Sequence, residues 1–341
     1  WQNVRDPRKL KGRLLAFTVS TEDKTGNGIH LYDAATRVHR VLDSSASVYT
    51  GLAWREDADD LVVLRSQTDD TREGSTHAVL AWTGVSSASP VLQTLDPLKA
   101  VPAVKRIVSF RRPSWSDDGR TLYVGVGAWE EKPLDDTKKP SASGDDTPPA
   151  RPAANDDMPS LEIWHARDVT VMPRQKITAR SDRQRNFLHA WHLGSDRLVE
   201  LGRGEEELVI PIRKQKLAYA TVWDRYAMDR SIGRPAADFY LVDVETGERT
   251  KIVDRIDDAY LQVSPTGRFV LFLKDDAWWT INTATQTVTN ISKSAATSFI
   301  DRESDSTARQ KPHFGIGGWT PDDNAVLLYD KFDVWEVAAD G

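Results

Sequence analysis

The sequence predicts an all-β protein, a β-propeller built of four-stranded antiparallel blades. Three observations carry this reading. A strand–turn–strand signature recurs along the chain, and a second hairpin signature follows most copies of it. Long helical periodicity is absent, while tryptophan is abundant at 12 of 341 residues. Trp is a large, rigid side chain suited to β surfaces and to packing between sheets.

The first signature occupies 51–66 (GLAWREDADDLVVLRS), 112–127 (RPSWSDDGRTLYVGVG), 260–275 (YLQVSPTGRFVLFLKD) and 317–332 (GGWTPDDNAVLLYDKF). Each copy runs from an apolar residue or Trp, through a polar turn, into an apolar strand. The turns include Asp117-Asp118-Gly119, Pro265-Thr266-Gly267 and Pro321-Asp322-Asp323. Asp and Gly tolerate the left-handed backbone of such turns, and Pro presets φ at the first central position. The alignment puts Trp54, Trp115 and Trp319 at equivalent positions, each expected to be buried between neighbouring sheets. A fifth copy, 189–202 (HAWHLGSDRLVELG), keeps Trp191 and the turn Gly194-Ser195-Asp196.

The second signature occupies 28–43, 238–254, 276–292 and 333–341. It reads as an alternating strand, an Asp or Asn, a short turn such as Glu245-Thr246-Gly247, and another strand. Joined to the first, it makes a four-stranded meander of roughly 40–50 residues, the unit of a propeller. Leu217–Trp223 reads as the inner strand of a further unit whose outer hairpin is 238–254. The count is about six blades plus a partial one. Residues 130–159 break the pattern with six Pro, many Asp and no large apolar cluster. Such a segment cannot bury enough area to offset its ordering entropy, so it reads as a solvated, mobile insertion within one blade. Strands are expected to resume at Leu161-Glu162-Ile163-Trp164.

Composition narrows the function. Net charge is −6, which argues against a nucleic-acid binder relying on a general basic field. Cysteine is absent, so disulfides, thiolate metal sites and a Cys nucleophile are excluded. No apolar run approaches 18 residues, so no membrane-spanning helix is expected. The chain opens at Trp1-Gln2-Asn3 without Met or an apolar leader, which reads as an excised or processed piece.

Catalytic motifs are missing. No G-x-S-x-G elbow occurs, and Gly84-Val85-Ser86-Ser87-Ala88 lacks its last Gly. HExxH, P-loop and GxGxxG patterns are also absent, and no cofactor or metal is expected. His189 and His192 would point to opposite faces of a strand, which does not suit a bidentate metal site. The pairs Asp69-Asp70, Asp156-Asp157 and Asp275-Asp276 lack the spaced oxygen ligands of a calcium loop and read as turn carboxylates. The basic stretch from Arg174 to Arg185 reads as a solvated or ion-paired face rather than a nucleic-acid site. Glu205-Glu206-Glu207 leaves two readings open. Adjacent carboxylates could hold the positive amino terminus of a substrate, or they could form an acidic hairpin tip between strands.

Three longer stretches carry a family resemblance: 161–177 (LEIWHARDVTVMPRQKI) with Asp182-Arg183-Gln184-Arg185-Asn186, 240–249 (YLVDVETGER), and 317–337 (GGWTPDDNAVLLYDKFDVWEV). With Gly26-Asn27-Gly28-Ile29, they resemble the β-propeller region of large bacterial prolyl-oligopeptidase-family (S9-like) serine peptidases. The resemblance implies a two-part enzyme. A propeller covers an α/β-hydrolase domain carrying Ser, Asp and His, and restricts entry to short peptides. That domain would follow Gly341, so no catalytic residue has a matching position here. In dipeptidyl-peptidase relatives a paired Glu in the propeller holds the substrate amino terminus. The corresponding candidates are Glu205 and Glu206, which lack the aromatic surroundings of that motif. The implied partners are the chain's own C-terminal hydrolase domain and peptide substrates, without nucleic acid or membrane span. Export to the periplasm or medium is the compartment such families suggest. The competing reading is a TolB-like or WD40-like propeller acting as a protein-interaction scaffold.

Overall fold

In the computed structural model the described residues are 13–21, 24–130, 165, 168–228, 236–256, 261–307 and 311–341. They form six antiparallel sheets that follow one another along the chain. Within each sheet the strand order is the chain order. The first sheet has three strands, Leu14–Val19, Gly28–Asp33 and Val38–Ser44. The second has four, Tyr49–Trp54, Leu61–Thr68, Ser75–Thr83 and Val91–Leu95. In the third, the inner strand comes in two pieces, Lys105–Ile107 and Ser114–Trp115, both paired with Thr121–Ala128. Phe187–His192 and Arg197–Glu200 complete it. The fourth holds Glu207–Pro211, Leu217–Val222, Ala237–Asp243 and Arg249–Ile256. The fifth holds Gln262–Val263, Phe269–Lys274, Ala277–Asn282 and Val288–Asn290. The sixth holds Ile316–Trp319, Ala325–Tyr329 and Val334–Ala338.

A common register underlies the repeat. The last residue of the inner strand faces a partner seven positions on in four sheets: Trp54 with Leu61, Trp115 with Leu122, Val263 with Val270, and Trp319 with Val326. The fourth sheet obeys the same rule through Pro211 and Ala218. Each of the five intervening turns contains one left-handed residue: Asp57, Gly119, Lys214, Gly267 or Asp323.

Five apolar clusters hold the sheets together, one between each successive pair. Leu61, Val63, Leu80 and Trp82 of the second sheet meet Leu14, Ala16, Ile29 and Leu31 of the first. The alternate residues Val62, Leu64, Val79 and Ala81 meet Leu122, Val124, Val126 and Trp191 of the third. Equivalent clusters join the third to the fourth sheet, the fourth to the fifth, and the fifth to the sixth. A strand covered on both faces is apolar at nearly every position, which explains why Leu61–Leu64 and Phe269–Leu273 are buried without alternation. The fold is an all-β propeller, as the repeats predict.

Some expectations are corrected. Residues 189–202 are not an inner hairpin. Trp191 pairs with Leu198 across the two outer strands of the third sheet. The inner strand of the fourth unit is Glu207–Pro211, and Leu217–Val222 is the second. Trp54, Trp115 and Trp319 do occupy equivalent positions but are only half-buried, packing on the edges of their clusters. The fully buried indoles are Trp191 and Trp278. A helix, Met172–Arg183, occupies most of the basic stretch and buries no side chain. Pro173 in its first turn and Arg180 and Arg183 in its last suit the two ends of a helix. The insertion proposed for 130–159 and the strand expected at 161–164 lie outside the described residues, Glu130 excepted. No helix among the described residues is long and apolar enough to cross a membrane.

Candidate binding cleft

The turns after the inner strands are tied to one another from sheet to sheet. Arg55 donates from Nη1 to the carbonyl of Asp117 (3.1 Å), linking the second sheet to the third. The backbone N–H of Lys214 donates to Asp117 Oδ2 (2.6 Å), linking the third to the fourth. Gln215 Nε2 donates to the carbonyl of Thr266 (2.9 Å), linking the fourth to the fifth. Ser264 Oγ and the Thr266 N–H donate to the fully buried Asp323 carboxylate at 2.7 and 3.1 Å, linking the fifth to the sixth. One ion pair skips a sheet: Arg213 of the fourth reaches Glu56 of the second at 2.7 Å, and Asp117 of the third at 3.5 Å. Contact between sheets two apart requires their turns to converge, as radially arranged blades do.

This convergence encloses a cleft of about 660 Å³. It is lined by Trp115, Tyr123, Pro211, Ile212 and Val244 together with charged turn residues. Several of these charges are held by protein partners. Lys216 meets Glu245 at 3.1 Å, and Arg55 meets Asp60 at 2.6 Å. Asp118 accepts from Ser116 Oγ (2.6 Å) and from the Arg120 N–H (3.0 Å). Burial pushes its pKa up, but these bonds outweigh burial and hold it below the usual carboxylate range. The exposed pairs contribute little stability each, within about 1 kcal/mol.

Tyr123 differs from its neighbours. Its ring belongs to the core between the third and fourth sheets and is 6% exposed. It nevertheless lines the cleft, and its hydroxyl has no hydrogen-bond partner among the described residues. Burial raises its pKa, and Asp118, Asp117 and Glu245 raise it further, so the hydroxyl stays protonated and acts as a donor. Beside it, His192 is buried and bridges Thr121 Oγ1 (3.2 Å) and the Val244 carbonyl (3.0 Å). The carbonyl can only accept, so Nε2 donates to it. His189, on the same strand, is likewise buried, beside the Phe187 carbonyl at 3.2 Å.

The glutamate triplet lies elsewhere, at the opposite end of the strand Glu207–Pro211 from the cleft. It connects the third sheet to the fourth and is not the tip of a hairpin. Glu205 is exposed and paired with Arg185. Glu206 has an exposed side chain, and its carbonyl accepts from the Trp223 N–H (2.9 Å). Glu207 is committed to the fold. Its carboxylate meets Arg249 at 2.7 Å and accepts from the Gly204 N–H at 2.9 Å. Ser86, the serine of the incomplete elbow sequence, is bonded to the Asp59 carboxylate in a turn of the second sheet. Motif reading passes over the cleft because Glu56, Asp117 and Lys214 are separate turn residues. Their signal is a charged residue recurring in the turn after each inner strand.

No family model matches the chain, and no curated protein matches it in sequence. Similar solved structures include the β-propeller domain of the Trilobed protease from Pyrococcus furiosus. It is 12% identical with a TM-score of 0.39, over 96% of this chain and 82% of that one. The acylaminoacyl peptidase of Pyrococcus horikoshii is 13% identical with a TM-score of 0.39, over 95% of this chain and 43% of that one. TolB from Acinetobacter baumannii is 11% identical with a TM-score of 0.31, over 97% of this chain and 62% of that one. The chain thus spans less than two thirds of the last two. The fold assignment rests on the six sheets and their shared register.

Proposed function

We propose that this chain is the noncatalytic propeller of a prolyl-oligopeptidase-like serine peptidase, selecting or gating peptides for an α/β-hydrolase domain. The observation that carries this reading is the cleft at the converging turns. It is concave and lined by both apolar and polar groups, as sites for small ligands and short peptides are. The sequence stretches that resemble the S9-like family support it. In this reading Glu205 and Glu206 are the candidates for holding a substrate amino terminus, Glu206 having the less encumbered carboxylate.

The test is cleavage of a peptide length series by the natural protein that carries this segment, against variants with loosened sheets. Trp191→Phe and Trp191→Ala provide two grades, the second costing about 3–5 kcal/mol of stability. Short peptides should be cut by all three proteins with similar kcat, while longer ones are cut only by the loosened variants. An unchanged length cut-off would argue for the interaction-scaffold reading instead.

A further inference from the structure

The geometry points to a specific occupant of the cleft: an extended peptide segment that inserts an uncharged side chain against Ile212, Val244 and Trp115 and offers a main-chain carbonyl to Tyr123 Oη. This inference rests on the peptide-selecting reading and names what the site selects.

Three features define the occupant. The first is the unshared donor. A tyrosine 6% exposed, whose ring is locked between two sheets while its hydroxyl meets no acceptor among the described residues, is fixed in position at no further entropic cost to a ligand. The second is the sign of the surroundings. Asp117, Asp118 and Glu245 are close enough to act on Tyr123 electrostatically. The charges acting on this hydroxyl are carboxylates, which disfavour an approaching carboxylate there relative to a neutral carbonyl, while the cations Arg55, Arg213, Lys214 and Lys216 line the cleft around it. The third is that the carboxylates are already engaged. Asp117 is held by Lys214 N–H and Arg213, Asp118 by Ser116 and Arg120, and Glu245 by Lys216. A cationic side chain would have to displace these partners, so the apolar lining decides the preference. A volume of about 660 Å³ lies within the range of sites for such ligands.

The experiment uses three capped peptides, acetyl-Ala-Ala-X-Ala-amide with X as Leu, Asp or Lys. Binding to the intact chain is measured by titration calorimetry and by Trp fluorescence. The Leu peptide should bind best and the Asp peptide at least about tenfold more weakly, the margin expected when an unpaired charge replaces a neutral group. Tyr123→Phe should weaken the Leu peptide about three- to tenfold, the worth of one hydrogen bond, with an unchanged melting temperature. Val244→Asp, which puts a charge on the apolar wall, should abolish preference for Leu, and Ile177→Ser on the distant helix should change nothing. Equal binding of the Leu and Asp peptides, no binding of the Leu peptide at millimolar concentration, or full affinity in Tyr123→Phe would each overturn the proposal. Capped peptides test the cleft alone. A length cut-off unchanged in the loosened variants, with this binding intact, would leave the cleft standing and remove the gating role.

Discussion

Glu207 faces Arg249 with a side chain only 5% exposed, against 13% for its partner. A carboxylate so enclosed loses hydration, which by itself raises its pKa. The Arg249 guanidinium and the N–H groups of Arg203 and Gly204 outweigh that loss and hold the pKa below its ordinary 4.5. A depressed folded-state value means that ionised Glu207 contributes its full stability above about pH 4.5. The contribution fades as pH falls through the lower, folded value. Glu207→Gln leaves Arg249 buried without its counter-charge and should lower the unfolding free energy by about 3 kcal/mol near neutral pH. In urea unfolding followed from pH 7 to pH 3, the gap from the parent protein should narrow below pH 4.5. A gap independent of pH would mean that the carboxylate is not the stabilising species. Arg213 and Glu56 form the opposite case, an exposed pair of similar length whose removal should barely move stability.

Turns and hairpins show which parts of the fold the sequence discloses. Gly267 adopts φ +75°, and a Cβ there would collide with the carbonyl oxygen of Arg213 in the adjacent sheet. Gly26 adopts φ +78° with open space around the same position. Gly26→Ala should therefore cost only the backbone strain of about 1–2 kcal/mol. Gly267→Ala should cost clearly more, because the turn-to-turn approach must also open. Thermal unfolding of the two variants checks the difference, and equal losses would mean that the turns are not in tight contact. The four inner hairpins read from the sequence were legible because Trp or Val ends the strand, and three of their turns hold Gly119, Gly267 or Asp323 at the left-handed position. The inner hairpin of the fourth unit is hidden in the sequence because its turn, Arg213-Lys214-Gln215, has no Gly, Pro or Asp. Lys214 itself takes φ 59° there. Residues 189–202 imitated the signature because an outer hairpin follows the same chemistry, with Asp196 left-handed at φ 52°. The cleft was not legible, because Glu56, Asp117 and Arg213 meet only when three sheets have been placed side by side.

At the scale of the molecule, the five apolar clusters and the ties between turns divide the work of holding the sheets together. The clusters are non-directional and supply most of the burial free energy. The polar ties fix how far one sheet is turned against the next, since Lys214 N–H, Gln215 and Ser264 each reach a defined acceptor on a neighbour. Binding in the cleft would therefore bear on three sheets together, because its walls and rim come from the second, third and fourth. The selecting role proposed above belongs to this scale. If that role holds, altering one sheet interface should change which peptides pass, with little effect on the chemical step in the proposed hydrolase domain.

The pairing of apolar clusters between successive sheets has a mechanical consequence. Among the described residues, the first and sixth sheets each share an apolar cluster with a single neighbour, and the four between them share one on each side. Under tension applied at the two ends of the chain, the outermost sheets should detach first, and the array should then yield one sheet at a time. Force–extension traces should form a sawtooth. A unit such as Glu207–Ile256 should release about 165–180 Å of contour length as it opens. A single rupture releasing the whole length at once would show that the sheets yield as one body.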